Sequence, residues 1–417
     1  MNFSPVRINL LKNFTSLSAI QFFNYLFPLI TLPYLVRVLG PERYGLINFA
    51  AAFVAYFTTL TDYGFNLTAP REISINRNNK EKLSEIFSSV LTIKFVLFVL
   101  SSILLFIVVN SFLRFSEFKE IYYLSFIVVG GQILYPVWFF QGIEDMKYLS
   151  FITITLRGIS VALIFLLIKT PSDILLLVSI NSFTYVMMGI IGILIIILKF
   201  KIRYRIPSLP TLKYHFIDGG QIFISTVAIN LYTSTNTFLL GLFANDTVVG
   251  YFSAADKIRI AVQSFFSILS QTVYPHLALK FKSSFEDGIV IIKKLVLYAG
   301  SFSFLFCLLI LIFAGEIIHL LLGYQYEQSI IVLRIISFLP FLILLSNIYG
   351  IQTMLNIGYK KEFTIIITLA AVINLIISLI IVPIYFEIGT AFSVLITEFF
   401  VTSSMIIFLW KKGKIVV

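Results

Sequence analysis

The chain has 417 residues, 59% of them hydrophobic and only 12% charged, with a formal net charge of +11 and a mean hydropathy of +0.98. Such a composition lies far outside that of soluble domains, and the basic surplus sits in short segments between apolar runs, which excludes a nucleic-acid-binding protein. The one cysteine, Cys307, leaves no internal disulfide or cysteine metal cluster, and His215, His276 and His319 are too far apart for a metal site.

A helix needs roughly 20 apolar residues to cross a bilayer. In chain order, such runs lie at 15–38, 43–66, 83–110, 119–141, 148–168 and 174–198, then at 214–241, 247–274, 289–313, 327–355, 361–385 and 388–410. The first run has no small-residue cleavage site, so it reads as a span and not as a signal peptide. It contains Pro28 and Pro33, which free backbone carbonyls and should bend it. No stretch between runs is long enough for a soluble domain. Between the sixth and seventh runs lies KFKIRYRIPSLPTLK (199–213), where Pro207, Pro210 and five basic residues argue against a helix. This segment is expected to be a cytoplasmic linker and hinge, joining an N-terminal six-helix bundle at 1–198 to a C-terminal one at 214–417. The expected fold is an all-α polytopic membrane protein, with about twelve transmembrane helices in two six-helix bundles around a central cavity.

Orientation follows from the loops. With both ends in the cytoplasm, one side of the membrane receives 21 of the 31 basic residues, among them Arg71, Arg77, Lys80, Lys82 and the five of 199–213. The other side receives Arg37, Arg43, Arg114, Lys119 and Lys169. The excess of positive charge marks the cytoplasmic side, and these loops double as anchors to anionic membrane lipids.

The halves echo each other. RVLGPERYGLINFAAAF (37–53) matches GLFANDTVVGYFSAADK (241–257), aligning Gly45 with Gly250 and Ala50 with Ala255 at an offset of 205 residues. QGIEDMK (141–147) matches LNIGYKK (355–361) at an offset of 214. A duplicated six-helix unit is expected, with a substrate site between the halves near the midplane.

The remaining basic residues, Lys94, Arg157, Lys257, Arg259 and Arg334, lie inside apolar runs. A charge at that depth costs about 2.5–3.5 kcal/mol even on a lenient scale, so such residues face a bundle interior or a wet cavity. Lys94, Arg157 and Lys257 fall near mid-membrane, Arg259 slightly deeper, and Arg334 close enough to an edge for its stem to snorkel outward. Asp256 and Glu398 share these depths. Asp256 and Arg259, spaced i,i+3, can pair on one helix face. Arg157 either lines a cavity or pairs with a helix carbonyl or Glu398. Asp62, near the cytoplasmic end of the second span, is expected to partner Arg71. The surplus of buried positive charge points to an anionic cargo. Gln21 and Asn24 in the first span, and Asn230 and Asn236 in NLYTSTNT (230–237), could bind sugar hydroxyls or bond between helices. No phosphate-binding glycine loop and no nucleophile–base spacing is present, so neither an enzyme nor a cofactor is expected.

Four segments carry a resemblance: LPYLVRVLGPERYG (32–45), DYGFNLTAPREIS (62–74), VWFFQGIEDMKY (137–148) and VVGYFSAADKI (248–258). Together they resemble the Wzx-type polysaccharide repeat-unit flippases for O-antigen and capsule, of the multidrug/oligosaccharidyl-lipid/polysaccharide exporter superfamily, over essentially the whole chain. The resemblance implies a MATE-like fold in the bacterial inner membrane. It also implies an undecaprenyl-pyrophosphate-linked oligosaccharide moved between leaflets, with a polysaccharide polymerase and a chain-length regulator as partners. Two other readings remain: a membrane polymerase or ligase of lipid-linked sugars, disfavoured by the short outward loops, and a drug/cation antiporter, disfavoured by surplus base at depth.

Overall fold

The computed structural model describes the backbone of residues 5–233 and 235–414, without the side chains of 5–14, 17, 221, 224–226, 228–233, 268–269, 271–272 and 275–276. Among the described residues there are helices and no strands. In chain order they are α1 (Pro5–Asp62), α2 (Phe65–Ile75), α3 (Lys80–Ser111), the short α4 (Leu113–Ser116), α5 (Lys119–Leu134), α6 (Val137–Gly142), α7 (Lys147–Leu167) and α8 (Ile174–Lys199). After the linker come α9 (Leu209–Thr233), α10 (Thr235–Phe243), α11 (Asp246–Ser283), α12 (Phe285–Leu295), α13 (Ser301–Ile312), α14 (Ala314–Leu321), α15 (Ser329–Ile336), α16 (Leu339–Ser346) and α17 (Lys360–Lys411).

Eight stretches of the described chain are long and apolar enough to cross a bilayer. Two are too long for one crossing: Ser18–Ile75 has 58 residues and Lys360–Lys411 has 52, against the roughly 20 that span the hydrocarbon core. Each contains a break with non-helical dihedrals, Gly40 (φ 70°, ψ 171°) in α1 and Phe386 (φ 46°, ψ −119°) in α17. Counting each as two crossings, and adding α9 with α10 and then α11, the architecture is the expected all-α one with about twelve transmembrane helices.

Several spans are less regular than the sequence implies. α1 runs helically through Pro28 and Pro33 and breaks instead at Gly40, where a positive φ costs a glycine little. The fourth span is split because Pro136 has no amide to extend α5; Tyr135 leaves the helix (φ −85°, ψ 99°) and α6 starts anew. The ninth and tenth contain π-helical turns at Val296–Gly300 and Asn347–Met354.

The chain forms two units, one of Met1–Thr31 with Ala50–Asn230, the other of Leu32–Phe49 with Leu231–Val417. In the first, α2 and α6 bury Phe65, Ile73, Trp138, Phe139 and Phe140 together with Phe87 of α3. Two of the segments that carry the family resemblance are therefore core. The outward face of α3 shows Phe95, Val99 and Phe106, apolar and exposed as a lipid-facing stripe should be.

The linker is tied down within this unit. The amides of Arg203 and Arg205 donate to Ser84 Oγ (3.3 Å) and Ser88 Oγ (2.9 Å), and the Tyr204 hydroxyl meets Thr92 Oγ1 at 2.8 Å. Ser84, Ser88 and Thr92 stand one turn apart on α3, so residues 203–205 form a strap along it. α9 starts inside the expected linker, at Leu209, because Pro210 falls in its first turn, where no amide is needed.

In the second unit the echoed glycines meet. A Cβ on Gly45 would lie 2.6 Å from Gly250 N, and one on Gly250 would lie 2.0 Å from Pro41 O. Only glycine admits so close a crossing. The other echo leaves its mark in the backbone: Glu144 (φ 58°) and Gly358 (φ 94°), related by the 214-residue offset, are both left-handed.

Candidate functional site

Lys94 of α3 is only 3% exposed. Its Nζ donates to Asp62 Oδ1 at 3.0 Å, and the Asp62 side chain is 21% exposed. An ammonium this deep needs a counter-charge, and the local backbone delivers one. Asp62 closes α1, and the next two residues, Tyr63 (φ 50°) and Gly64 (φ 81°), are left-handed. Tyr63 is stacked between Phe216 and Phe223 of α9, with ring centroids 4.7 and 4.9 Å away. A Cβ on Gly64 would fall 2.9 Å from Gly219 O, so glycine is required there for space as well as for φ. DYGF is thus a wedge set into α9, and it aims Asp62 at α3.

This corrects one expectation: Asp62 does not pair with Arg71, whose Nη2 reaches Glu72 Oε1 (3.1 Å) and Asp218 Oδ1 (3.4 Å) on α2. Residues nine apart lie about half a turn from each other around a helix, so an unbroken helix too would set Asp62 and Arg71 on opposite sides.

Arg157 of α7 is half-buried. Its Nη2 donates to the Tyr185 hydroxyl of α8 at 3.0 Å, with the guanidinium 5.6 Å from the centre of that ring. The bond is to a neutral group, so it leaves the positive charge in place. Gln21 and Asn24 of α1 are half-buried in the same unit, and among the described residues Asn24 Oδ1 is enclosed without a hydrogen-bond partner.

In the second unit, Arg259 Nε and Nη2 both reach Asp256 Oδ1, at 2.9 and 2.7 Å, the i,i+3 pair that the spacing predicts. Lys257 is exposed on another face of α11, and Arg334 is exposed on α15. Asn236 of α10 is buried and its Oδ1 accepts from Ser378 Oγ at 3.2 Å, while Asn374 Nδ2 donates to Thr397 Oγ1 at 3.1 Å. Glu398, also buried, follows Thr397 on α17. The side chain of Asn230 lies outside the described residues. Sequence reasoning missed Tyr185, Asn374 and Ser378. A lone Asn in AAVINLIISLII is a visible signal; Tyr185 gives none among so many tyrosines.

Of the four cations expected to line one cavity, Lys94 and Arg157 belong to the first unit and Lys257 and Arg259 to the second. Lys94 and Arg259 are held by carboxylates. Arg157 is bonded to the neutral Tyr185 hydroxyl, and Lys257 is exposed.

The family model for "Polysaccharide biosynthesis protein" matches residues 10–279 of the chain. The chain is 37% identical over 415 residues to the "Putative O-antigen transporter" of Escherichia coli (strain K12), covering 99% of each. Among solved structures it is similar to lipid II flippase MurJ in an inward closed conformation, with a TM-score of 0.68, 14% identity, and 95% of this chain and 87% of that one covered. It is also similar to the inward-facing conformation of a multidrug resistance MATE family transporter of the MOP superfamily, with a TM-score of 0.66, 15% identity, and coverage of 93% and 94%. At these identities the two structures speak for the fold alone.

Proposed function

The chain belongs to the polysaccharide biosynthesis protein family, and on that premise we propose that it flips undecaprenyl-pyrophosphate-linked oligosaccharide repeat units from the inner to the outer leaflet of the bacterial plasma membrane. Movement is by alternating access, driven by an ion gradient or the membrane potential, and the product passes to a polysaccharide polymerase and its chain-length regulator. The observation that carries this reading is the end-to-end similarity to the E. coli O-antigen protein. The cations inside the apolar runs give it a chemical basis. A diphosphate needs positive charge and hydrogen-bond donors where lipid offers neither, and Arg157, Lys94 and Lys257 are the groups assigned to it.

Both termini are placed in the cytoplasm, on the ground of the loop charges. Reporter fusions after residues 75, 145, 206, 283 and 359 should report cytoplasm, and fusions after 115, 171 and 245 periplasm.

The test is deletion of the gene with analysis of lipid-linked repeat units. They should accumulate facing the cytoplasm while surface polysaccharide is lost. Complementation with Lys257→Ala should fail at normal membrane abundance. Unchanged surface polysaccharide in the deletion strain would overturn the reading.

A further inference from the structure

Resting on that reading, we propose that Asp62 is an internal stand-in for the diphosphate of the cargo: it holds Lys94 while the site is empty and yields it to a diphosphate oxygen when the lipid-linked sugar binds.

Four observations carry this. First, Lys94 is under-used. An ammonium has three donors, and among the described residues only one, to Asp62 Oδ1, has an acceptor. The side chain is 4% exposed, and an ammonium with one protein acceptor can take further oxygen ligands. Second, the two members are unequally covered: the Asp62 side chain is 21% exposed while the Lys94 side chain is 4% exposed, so Asp62 is the member with room to move away. Third, Asp62 is weakly held by its own helix. It is the last residue of α1, where the partial negative charge of the helix end repels a carboxylate. Its position there owes nothing to helix stability and depends on Lys94. Fourth, the backbone behind it is fixed. Tyr63 is clamped between two aromatic rings and Gly64 is pressed on Gly219. The carboxylate can therefore swing out by side-chain rotation without dismantling the wedge.

The chemistry of the exchange is simple. Carboxylate and diphosphate are both oxygen anions, but a diphosphate brings more charge and more acceptor oxygens. It can answer the two N–H bonds of Lys94 that Asp62 leaves open. The exchange also keeps the buried ammonium paired in both states, so Lys94 is never left alone in the low-dielectric interior.

The test uses the full-length protein in lipid nanodiscs and geranyl diphosphate as the probe, with affinity measured at equilibrium. Asp62→Asn keeps an acceptor for Lys94 but removes the competing charge, and should bind the probe about tenfold tighter than the unaltered protein. Asp62→Glu should bind like the unaltered protein. Lys94→Gln should weaken binding about tenfold or more, and Asp62→Asn should give no gain in a Lys94→Gln background. A purely structural Asp62 predicts the reverse, weaker binding by Asp62→Asn, and that result overturns the proposal, as does no change. A second measurement needs no variant. Hydrogen–deuterium exchange across residues 59–66, including the Tyr63 amide bonded to Thr59 O at 3.2 Å, should stay unaltered on adding the probe because only the Asp62 side chain moves, and a rise at saturation overturns the proposal. If Lys94→Gln weakens binding but Asp62→Asn does not tighten it, the exchange fails while the transport reading stands. If the probe binds Lys94→Gln and the unaltered protein equally, the exchange fails together with the assignment of Lys94 to the diphosphate.

Discussion

The two units neutralise a cation within an apolar span in opposite ways. In the first, Lys94 on α3 is met by Asp62 from the end of α1, at a distance of 32 residues along the chain. In the second, Arg259 is met by Asp256, three positions earlier on α11. A pair within one helix travels with that helix and is complete wherever the helix goes. A pair between helices exists only while the helices are docked, so its charge is tied to packing. Buried charge in the first unit therefore reports on tertiary structure, and in the second it does not.

That contrast sets the order of expected effects on stability, measured by thermal unfolding in detergent. Lys94→Ala should have the largest, about 1.5–3 kcal/mol, because it removes a charge-assisted bond between two helices together with the buried stem of the lysine. The double variant Asp62→Leu with Lys94→Met should regain most of this loss, since well-packed apolar side chains commonly replace a buried pair at no net cost. If it does not, the pair is more than a neutralised charge in the folded protein. Gly250→Ala should come next, at about 1–3 kcal/mol from overpacking, because its new methyl meets Pro41 O; this would place the weak point of the second unit in packing and not in charge. Arg259→Ala should cost only about 1 kcal/mol, with Asp256 at 23% exposure able to reach water. A loss equal to that of Lys94→Ala would erase the distinction between the units. Arg334→Ala should stay within about 0.5 kcal/mol, since that side chain is exposed.

The same contrast explains what could be read from the sequence. The Asp256–Arg259 pair was legible because helix periodicity alone brings i and i+3 together. The Asp62–Lys94 pair was not, because it depends on two left-handed residues and on how α1, α3 and α9 dock. Tyr63 has no reason of its own to adopt a positive φ. Most spans were legible to within a few residues, since bilayer thickness dictates their length, while the second and eighth run on past their expected ends, to Ile75 and Ser283. Their interruptions were only partly so. Pro136 announces the split of the fourth span, whereas the π-helical turns in the ninth and tenth follow from packing and leave no residue signature. The polar contacts of α17 lay in plain view at Asn374 but were overshadowed by charges.

The left-handed turn at Glu144 has one further consequence. Its counterpart, Gly358, takes the conformation without steric penalty, while Glu144 takes it against a penalty of about 1 kcal/mol. Two positions with different letters thus keep one shape. At this turn the two positions agree in torsion angle and differ in residue, so torsion angles bring out a likeness between the echoed segments that letters alone hide.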